Sequence, residues 1–422
     1  MLDTKLLREN FDQVKTALAK RGKEYNLEKF HELDQARRAC LQKTEDMKAK
    51  QNAASKQIPA LKKEGKDTAP LMAEMKDLAD AIKAAAPELA AIEEELNVLM
   101  LGIANCPHSS VPSGADENDN EEVRRFGTPP VFDFEPKAHW DIGEDLGIFD
   151  PATAVKIAGS RFVMMRGLGA RLERALINLM LDRHTSTGYE EISPPYIAHR
   201  RSMEGVGQLP DKEGQLFHLS DTDYFLIPTA ETPLTNIHRE EILDIAQLPV
   251  KFCAFTWSFR KEAGAAGRDT RGLIRMHQFP KVEIVKLAHP DTSYEELESL
   301  TADAEYILQQ LGLPYRVTNL CGGDLGFSNS KTYDLEVWMP SYGRYVEVSS
   351  CSNFESFQAR RAGIRYRDEN GKAQFVHTLN GSGLGVNRTV AAIMENFQQA
   401  DGSIKVPEVL VPYMGGVKEI KK

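Results

Sequence analysis

Along the chain, Leu71, Met75, Leu78, Ile82, Ala85, Leu89, Ile92, Leu96 and Leu99 alternate spacings of four and three, the apolar seam of a coiled coil. Upstream, Leu33, Cys40, Met47, Ala54 and Leu61 recur at every seventh position, and Ile58 adds a weaker second row, so a partner helix precedes the first. Between the two patterns KEGKDTAP supplies Gly65 and Pro70, a helix stop and a restart. The pattern predicts an antiparallel helical hairpin over about residues 28–100, with limbs of ~40 Å at about 1.5 Å per residue. Pro87 interrupts the second limb without shifting the phase of its seam, which predicts a kink and not a break. Residues 1–101 are therefore expected to form a helical arm.

The stretch IANCPHSSVPSGADENDNEE has no periodicity and is rich in Pro, Ser, Asn and acids, so residues 102–120 read as a surface linker. A second unit spans 121–422. Within it, Leu168, Leu172, Leu176 and Leu179 mark a helix that closes before Gly188, and Ile192–Pro195, with its double proline, reads as an edge strand. Period-2 patterns over Lys251–Glu262, Leu273–Lys286, Thr332–Met339, Arg344–Ser350 and Phe375–Asn380 are joined mostly by loops. This predicts an α+β unit whose mainly antiparallel sheet is flanked by helices.

Composition narrows the class. A net charge of −10 argues against general coating of nucleic acid, yet Arg38–Lys66 carries eight basic and three acidic residues, while Leu71–Leu99 carries two and seven. A solvated coiled coil accounts for such limbs; a basic limb that grips phosphates is the sharper reading. The five cysteines are scattered without CxxC spacing, against a disulfide framework or a cysteine-rich zinc site. Asp3, Arg8, Glu9 and Asp12 break the apolar run a signal peptide needs, and no stretch is long enough to span a bilayer. A soluble, cytoplasmic protein with no membrane association is expected.

The candidate chemistry lies on the strand hairpin. Phe255, Trp257 and Phe259 share one parity, and Ala254, Thr256, Ser258, Arg260 and Glu262 the other. On the return strand Arg275, His277, Phe279 and Glu283 again share a parity. Arg260, Glu262, Arg275, Phe279 and Glu283 could then face one cavity suited to an anionic, flat, amine-bearing ligand. Gly264, Gly267 and Gly272, with Arg268 and Arg271, make Ala263–Gly272 a basic loop able to close over such a ligand. GSGLG at Gly381–Gly385 is no dinucleotide loop, because too little chain follows it; it leads into a helix beginning near Leu384 with Arg388 in its early turns. Thr232 as N-cap and Pro233 at the first helical position would leave Thr229 and Glu231 free for a ligand.

FRKEAGAAGRDTRGLIRMHQF at Phe259–Phe279 and GLGVNR at Gly383–Arg388 resemble motifs 2 and 3 of class II aminoacyl-tRNA synthetases. An ordered series is similar to the bacterial seryl-tRNA synthetases over nearly the whole chain: MLDTKLLRENFDQVKTALAKRG, DENDNEEVRRFG, GSRFVMMRGLGARLERALINLML, TAETPL, EVSSCSNFESFQARR, HTLNGSGLGVNR and VPEVLVPYM. The resemblance implies the class II catalytic fold, formation of seryl-adenylate from L-serine and MgATP, and transfer of the seryl group to tRNA(Ser), with tRNA(Sec) as a second acceptor. It also implies a homodimer with Pro194 and Pro195 at the motif 1 interface, and a helical arm that reads the long variable arm of the tRNA.

Residue by residue, it makes Arg260 (α-phosphate) and Arg388 (γ-phosphate) catalytic. It assigns ATP to Arg260, Lys261, Glu262, Arg275, Phe279, Glu347, Val348, Ser349, Ser350 and Arg388, with Phe279 stacked on adenine. Mg²⁺ falls to Glu347 and Ser350, and serine to Thr229, Ala230, Glu231, Glu283 and Ser382. Parity sets Glu347 and Ser349 on one strand face and Ser350 on the other, so the metal pair requires a twist or bulge. Two rivals remain: a ligase loading a carrier protein, which the arm disfavours, and a non-catalytic binding protein, which intact Arg260, Glu262, Glu347 and Arg388 disfavour.

Overall fold

The computed structural model describes residues 1–211, 214–263 and 271–422. The chain divides into two compact units: Thr4–Lys15 with Glu24–Ala104, and Met1–Asp3, Thr16–Lys23 and Asn105–Lys422.

In the first unit, helices α1 (Leu27–Lys63) and α2 (Ala69–Leu101) pack along their length. Asn26 caps α1 by accepting from the Lys29 amide at 3.1 Å, and Pro70 stands in the first turn of α2. Contacts run in opposite senses along the two helices: Lys29 with Glu95 (3.2 Å), Arg37 with Glu93 (2.9 Å), and Gln51 Nε2 donating to the Met75 carbonyl (3.4 Å). The hairpin is therefore antiparallel. All nine expected seam residues of α2 are withdrawn from solvent. The seam of α1 is weaker in sequence because its second row is Arg37, Thr44 and Gln51 before Ile58, polar residues whose groups are used locally: Arg37 on Glu93, Gln51 on the Met75 carbonyl and the Thr44 hydroxyl on the Cys40 carbonyl.

Both helices run unbroken through an exposed proline, Pro59 in α1 and Pro87 in α2. On the solvent face water satisfies the carbonyl that loses its donor. The described ion pairs between the limbs lie near the root, at Lys29 and Arg37, outside the Arg38–Lys66 stretch. Lys43, Lys48, Lys50, Lys56, Lys62 and Lys63 are exposed and, among the described residues, enter no ion pair.

The second unit is built on an eight-stranded sheet of β1 (Glu121–Phe126), β2 (Glu190–Glu191), β3 (Val250–Phe259), β4 (Gln278–Ala288), β5 (Tyr315–Asn319), β6 (Lys331–Met339), β7 (Arg344–Asn353) and β8 (His377–Gly385). Its order is β1-β5-β6-β7-β8-β4-β3-β2. Every pairing is antiparallel except β2 with β3 at the edge. One face carries the main core. There Val282, Ile284, Leu335 and Val337 meet Leu172, Leu176 and Met180 of α3 (Leu168–Ser186), Leu300 and Ile307 of α6 (Ser293–Leu311), and Val390 and Ile393 of α8 (Val386–Asn396). The other face is partly covered by α5 (Glu231–Thr235), whose Leu234 packs with Ala230, Phe252, Ala254 and Val285.

Several expectations change here. The stretch read as a surface linker is pinned: Asn105, 4% exposed, donates to the Ser328 and Phe354 carbonyls, and Arg21 donates to the Asn105, Leu325 and Gly326 carbonyls. Its polar residues satisfy buried backbone, which composition cannot distinguish from solvation. The edge strand pairs through Glu190–Glu191, immediately before Ile192–Pro195, of which Ile192 still donates to the Cys253 carbonyl (2.8 Å). GSGLG lies inside β8, and α8 starts at Val386. These glycines bring other helices close to the sheet: a Cβ at Gly383 would stand 2.5 Å from His184 Nε2 of α3, and one at Gly381 2.6 Å from Leu300 Cδ2 of α6.

Candidate active site

On the face opposite the main core, the β-ladder register places the polar groups side by side. Phe279, Lys281 and Glu283 alternate along β4, opposite Ser258, Thr256 and Ala254 of β3. On the other flank of β4, Ser382 of β8 stands directly opposite Glu283. The small residues Ala254, Thr256 and Ser258 are fully buried, whereas Phe255, Trp257 and Phe259 are only half-buried. The polar parity of β3 therefore lies on this face with Lys281 and Glu283, while Phe255, opposite Val282, lies on the face of the main core.

Strand β3 ends at Phe259, so Arg260 is not in the strand. Its backbone nonetheless continues the hairpin by donating to the His277 carbonyl (2.9 Å). Its guanidinium lies 5.2 Å from the Phe279 ring centre, and its Nε donates to the Pro228 carbonyl (3.3 Å). Glu262 leaves the extended pattern with φ +48° and pairs with Arg275 (3.5 Å), so the carboxylate nearest in sequence does not neutralise Arg260. Arg275 and His277 precede β4 and are not on the return strand. The chain just before Arg275 is anchored: His139 Nε2 accepts from the Leu273 amide (3.0 Å), and Arg388 Nε donates to the Ile274 carbonyl (3.2 Å). Gly264, Gly267 and Arg268 lie outside the described residues; Arg271 is exposed, and Gly272 has φ +70°.

Arg388, in the first turn of α8, donates to the Glu347 carbonyl (2.7 Å) and lies 3.3 Å from its carboxylate. Desolvation pushes the Glu347 carboxyl up, but the charges of Arg388, Arg260 and Lys281 outweigh it and hold it below the ordinary carboxylate value. One carboxylate thus feels both arginines. The parity conflict is resolved by a bulge: Glu347 pairs with Glu336 of β6, Ser349 with the adjacent Leu335, and Ser350 with Asp334. Val348 is the extra residue, 2% exposed in the core. Past the bulge Ser350 returns to the face of Glu347 and hydrogen-bonds Asp334, whose own carboxyl is raised well above normal by burial and by the charge of Glu347.

A second group of polar residues lies around Glu231 and Glu283. Helix α5 begins at Glu231 with Ala230 as N-cap, two residues before the expected Thr232 cap. Thr229 is consequently engaged: its hydroxyl accepts from the Glu231 amide (3.2 Å) and from Lys281 Nζ (2.7 Å). Lys281, 6% exposed, also contacts Glu283 at 2.5 Å. Burial, then the negative charge of Glu283, raises the Glu231 carboxyl to about 7. Burial likewise raises Glu283, opposed by Lys281 and Arg260.

The structure thus brings together Thr229, Glu231, Arg260, Phe279, Glu283, Glu347, Ser350, Ser382 and Arg388. Six expected residues contribute no side chain to this group. Glu262 and Arg275 pair with each other outside the strands. Ala230 packs in the core, Lys261 is exposed with its ammonium 5.9 Å from the Phe217 ring centre, Val348 is in the core, and Ser349 points to the other face, donating to the Ser382 carbonyl (2.6 Å). Sequence reasoning missed Lys281, although it falls midway between Phe279 and Glu283 on one parity. It also missed Asp334 and Glu336, whose place depends on pairing with a bulged strand.

This sheet and this group of residues define a class II aminoacyl-tRNA synthetase catalytic unit, and residues 217–397 match the family model "tRNA synthetase class II core domain (G, H, P, S and T)". Residues 1–107 match "Seryl-tRNA synthetase N-terminal domain". The chain is 62% identical over 416 residues to the serine--tRNA ligase of Caldicellulosiruptor saccharolyticus, covering 98% of this chain and 99% of that protein. It is 56% identical over 422 residues to that of Geobacter sulfurreducens, covering all of both. The solved seryl-tRNA synthetase of Pyrococcus horikoshii, complexed with ATP, superposes with a TM-score of 0.93 at 38% identity, covering 100% of this chain and 99% of that one. The chain belongs to the seryl-tRNA synthetase family. Among the described residues no helix is long and apolar enough to cross a membrane.

Proposed function

We propose that this protein activates L-serine with ATP and transfers the seryl group to tRNA(Ser), with tRNA(Sec) as a further acceptor. The observation that carries the reading is that Glu347 lies in the field of both Arg260 and Arg388, while Glu283 sits opposite Ser382 on neighbouring strands. In the first step a serine carboxylate oxygen bonds the α-phosphorus of ATP as the bond to the β-phosphate oxygen breaks, releasing pyrophosphate. Negative charge spreads over the phosphoryl oxygens, and Arg260 meets it at the α-phosphate while Arg388 holds the γ-phosphate. The adenine stacks on Phe279. In the second step a terminal ribose hydroxyl of the tRNA attacks the seryl carbonyl carbon, and AMP leaves.

Mg²⁺ fits this site: Glu347 is held ionised, and the bulge sets the Ser350 hydroxyl on its face, two hard oxygen donors of the kind the ion takes alongside substrate phosphates. It would neutralise phosphate charge. The Glu231 carboxylate receives the serine ammonium, Glu283 with Ser382 its hydroxyl, and Thr229 lines the same end of the site. The reading includes a cytoplasmic homodimer formed along the Glu190–Pro195 edge, supported by the terminal place of β2 in the sheet, by exposed Ile197 two residues on, and by exposed Tyr224 on the strand paired with it.

Pyrophosphate exchange with each of the twenty amino acids tests the assignment. Serine should support it, and alanine should be poorer by ~10⁴-fold or more, because it would leave buried hydroxyl partners unpaired. Exchange with another amino acid in preference to serine overturns the reading.

A pH dependence follows from Glu231. Its ionised form attracts the ammonium, so kcat/KM for serine should fall about tenfold per unit as pH drops below about 7. Because its folded value lies above the ordinary 4.5, this group favours the empty folded state most below 4.5 and progressively less as pH rises through 7. Serine should accordingly raise Tm most on the alkaline side. A flat pH profile for kcat/KM would remove Glu231 from ammonium binding.

A further inference from the structure

The FESFQARR segment contains a buried glutamine that the scheme above does not use. We propose that Gln358 is a positioning residue for amino-acid recognition, its amide holding the Glu231 carboxylate in the orientation that receives the substrate ammonium. This rests on the reading of Glu231 as part of the serine site.

Gln358 lies in α7 (Phe357–Ala362) and is fully buried. Its Nε2 donates to Glu231 Oε1 at 2.6 Å and to the Val206 carbonyl at 3.1 Å, and its Oε1 accepts from the Thr378 hydroxyl at 2.6 Å. The amide orientation is forced. Flipped, its oxygen would face a carboxylate and a carbonyl, two acceptors in a dry setting. Four segments meet at this side chain: α7, α5 through Glu231, β8 through Thr378, and Val206, the C-cap of α4 (Arg200–Gly205). Glu231 is thereby fixed from behind by groups that touch no substrate.

Glu231 needs such a hold because it is buried beside a second carboxylate. The groups facing it are Glu283 and Lys281 from β4, Asn380 from β8 and Gln358 from α7. Lys281 is already shared between Glu283 (2.5 Å) and the Thr229 hydroxyl (2.7 Å). The Gln358 amide is thus a neutral donor that favours the ionised, ammonium-binding form of Glu231 without competing as a cation for Glu283.

The test uses the full chain carrying Gln358→Leu or Thr378→Val, with serine-dependent ATP–pyrophosphate exchange followed against serine, ATP and pH. Gln358→Leu should raise KM for serine roughly ten- to a hundred-fold, the loss of a charge-assisted hydrogen bond, and leave KM for ATP unchanged. It should also move the acid limb of kcat/KM for serine to higher pH. Thr378→Val, which keeps the side-chain shape, should shift both in the same direction by less. A merely structural role would move KM for serine and ATP together and leave the pH limb in place, and that result overturns the proposal. If Gln358→Leu does not fold, Thr378→Val decides alone, an unchanged KM for serine being the refuting result. Loss of all serine-dependent exchange in the unsubstituted protein would instead overturn the proposed function.

Discussion

Arg260→Ala is expected to lower serine-dependent ATP–pyrophosphate exchange by ~10²–10³-fold in kcat, the usual cost of removing a preorganised group from developing charge. The local structure makes the effect separable from folding. Arg260 is held by its own backbone, through the His277 carbonyl; among the described residues its side chain makes one long hydrogen bond, to Pro228, besides its contact with Phe279 and the charge it shares with Glu347 and Glu283. Removing it should therefore change Tm little. Lysine should restore only part of the rate, since a compact ammonium cannot both lie over Phe279 and present a fork to phosphate oxygens. Intact exchange in the alanine variant would remove Arg260 from the chemistry.

Deleting Leu27–Leu101 and joining its ends by a short flexible link should spare exchange and abolish tRNA charging. The hairpin belongs to its own compact unit, and every side chain assigned to adenylate formation lies between Thr229 and Arg388 of the other. The exposed lysines from Lys43 to Lys63 are the cations that the proposed phosphate contact would use. Charging by the full chain should consequently weaken steeply with salt, by an amount that scales with the number of phosphates neutralised, while exchange does not. Equal loss of both reactions on deletion would refute this division of labour.

How much of this was legible in the chain varies by element. The α2 seam was readable to the residue, because a heptad pattern and a buried stripe are one physical fact. The β3–β4 hairpin was readable in face but not in extent: alternation set Phe279 and Glu283 on one face, as the register does, yet the strands end at Phe259 and begin at Gln278, so Arg260 lies just past the strand and Glu262 and Arg275 leave the pattern. Lys261 and Ser349 lie within matching motifs but point elsewhere, since a motif records neighbours in sequence and not the direction of each side chain. The 102–120 stretch had the composition of a linker, while its Asn105 serves buried carbonyls from distant loops.

From its own order of residues the chain determined the helical hairpin, the mainly antiparallel sheet, and which side chains share a strand face, because periodicity is local and repeats every two or about three and a half residues. Tertiary structure alone decided the rest. The bulge at Val348 that returns Ser350 to the face of Glu347, the pairing of Ser382 with Glu283, and the meeting of Gln358 with Glu231 all depend on strand register and packing between segments far apart in sequence. Such contacts leave no local period, since a one-residue change in register would turn every side chain to the opposite face.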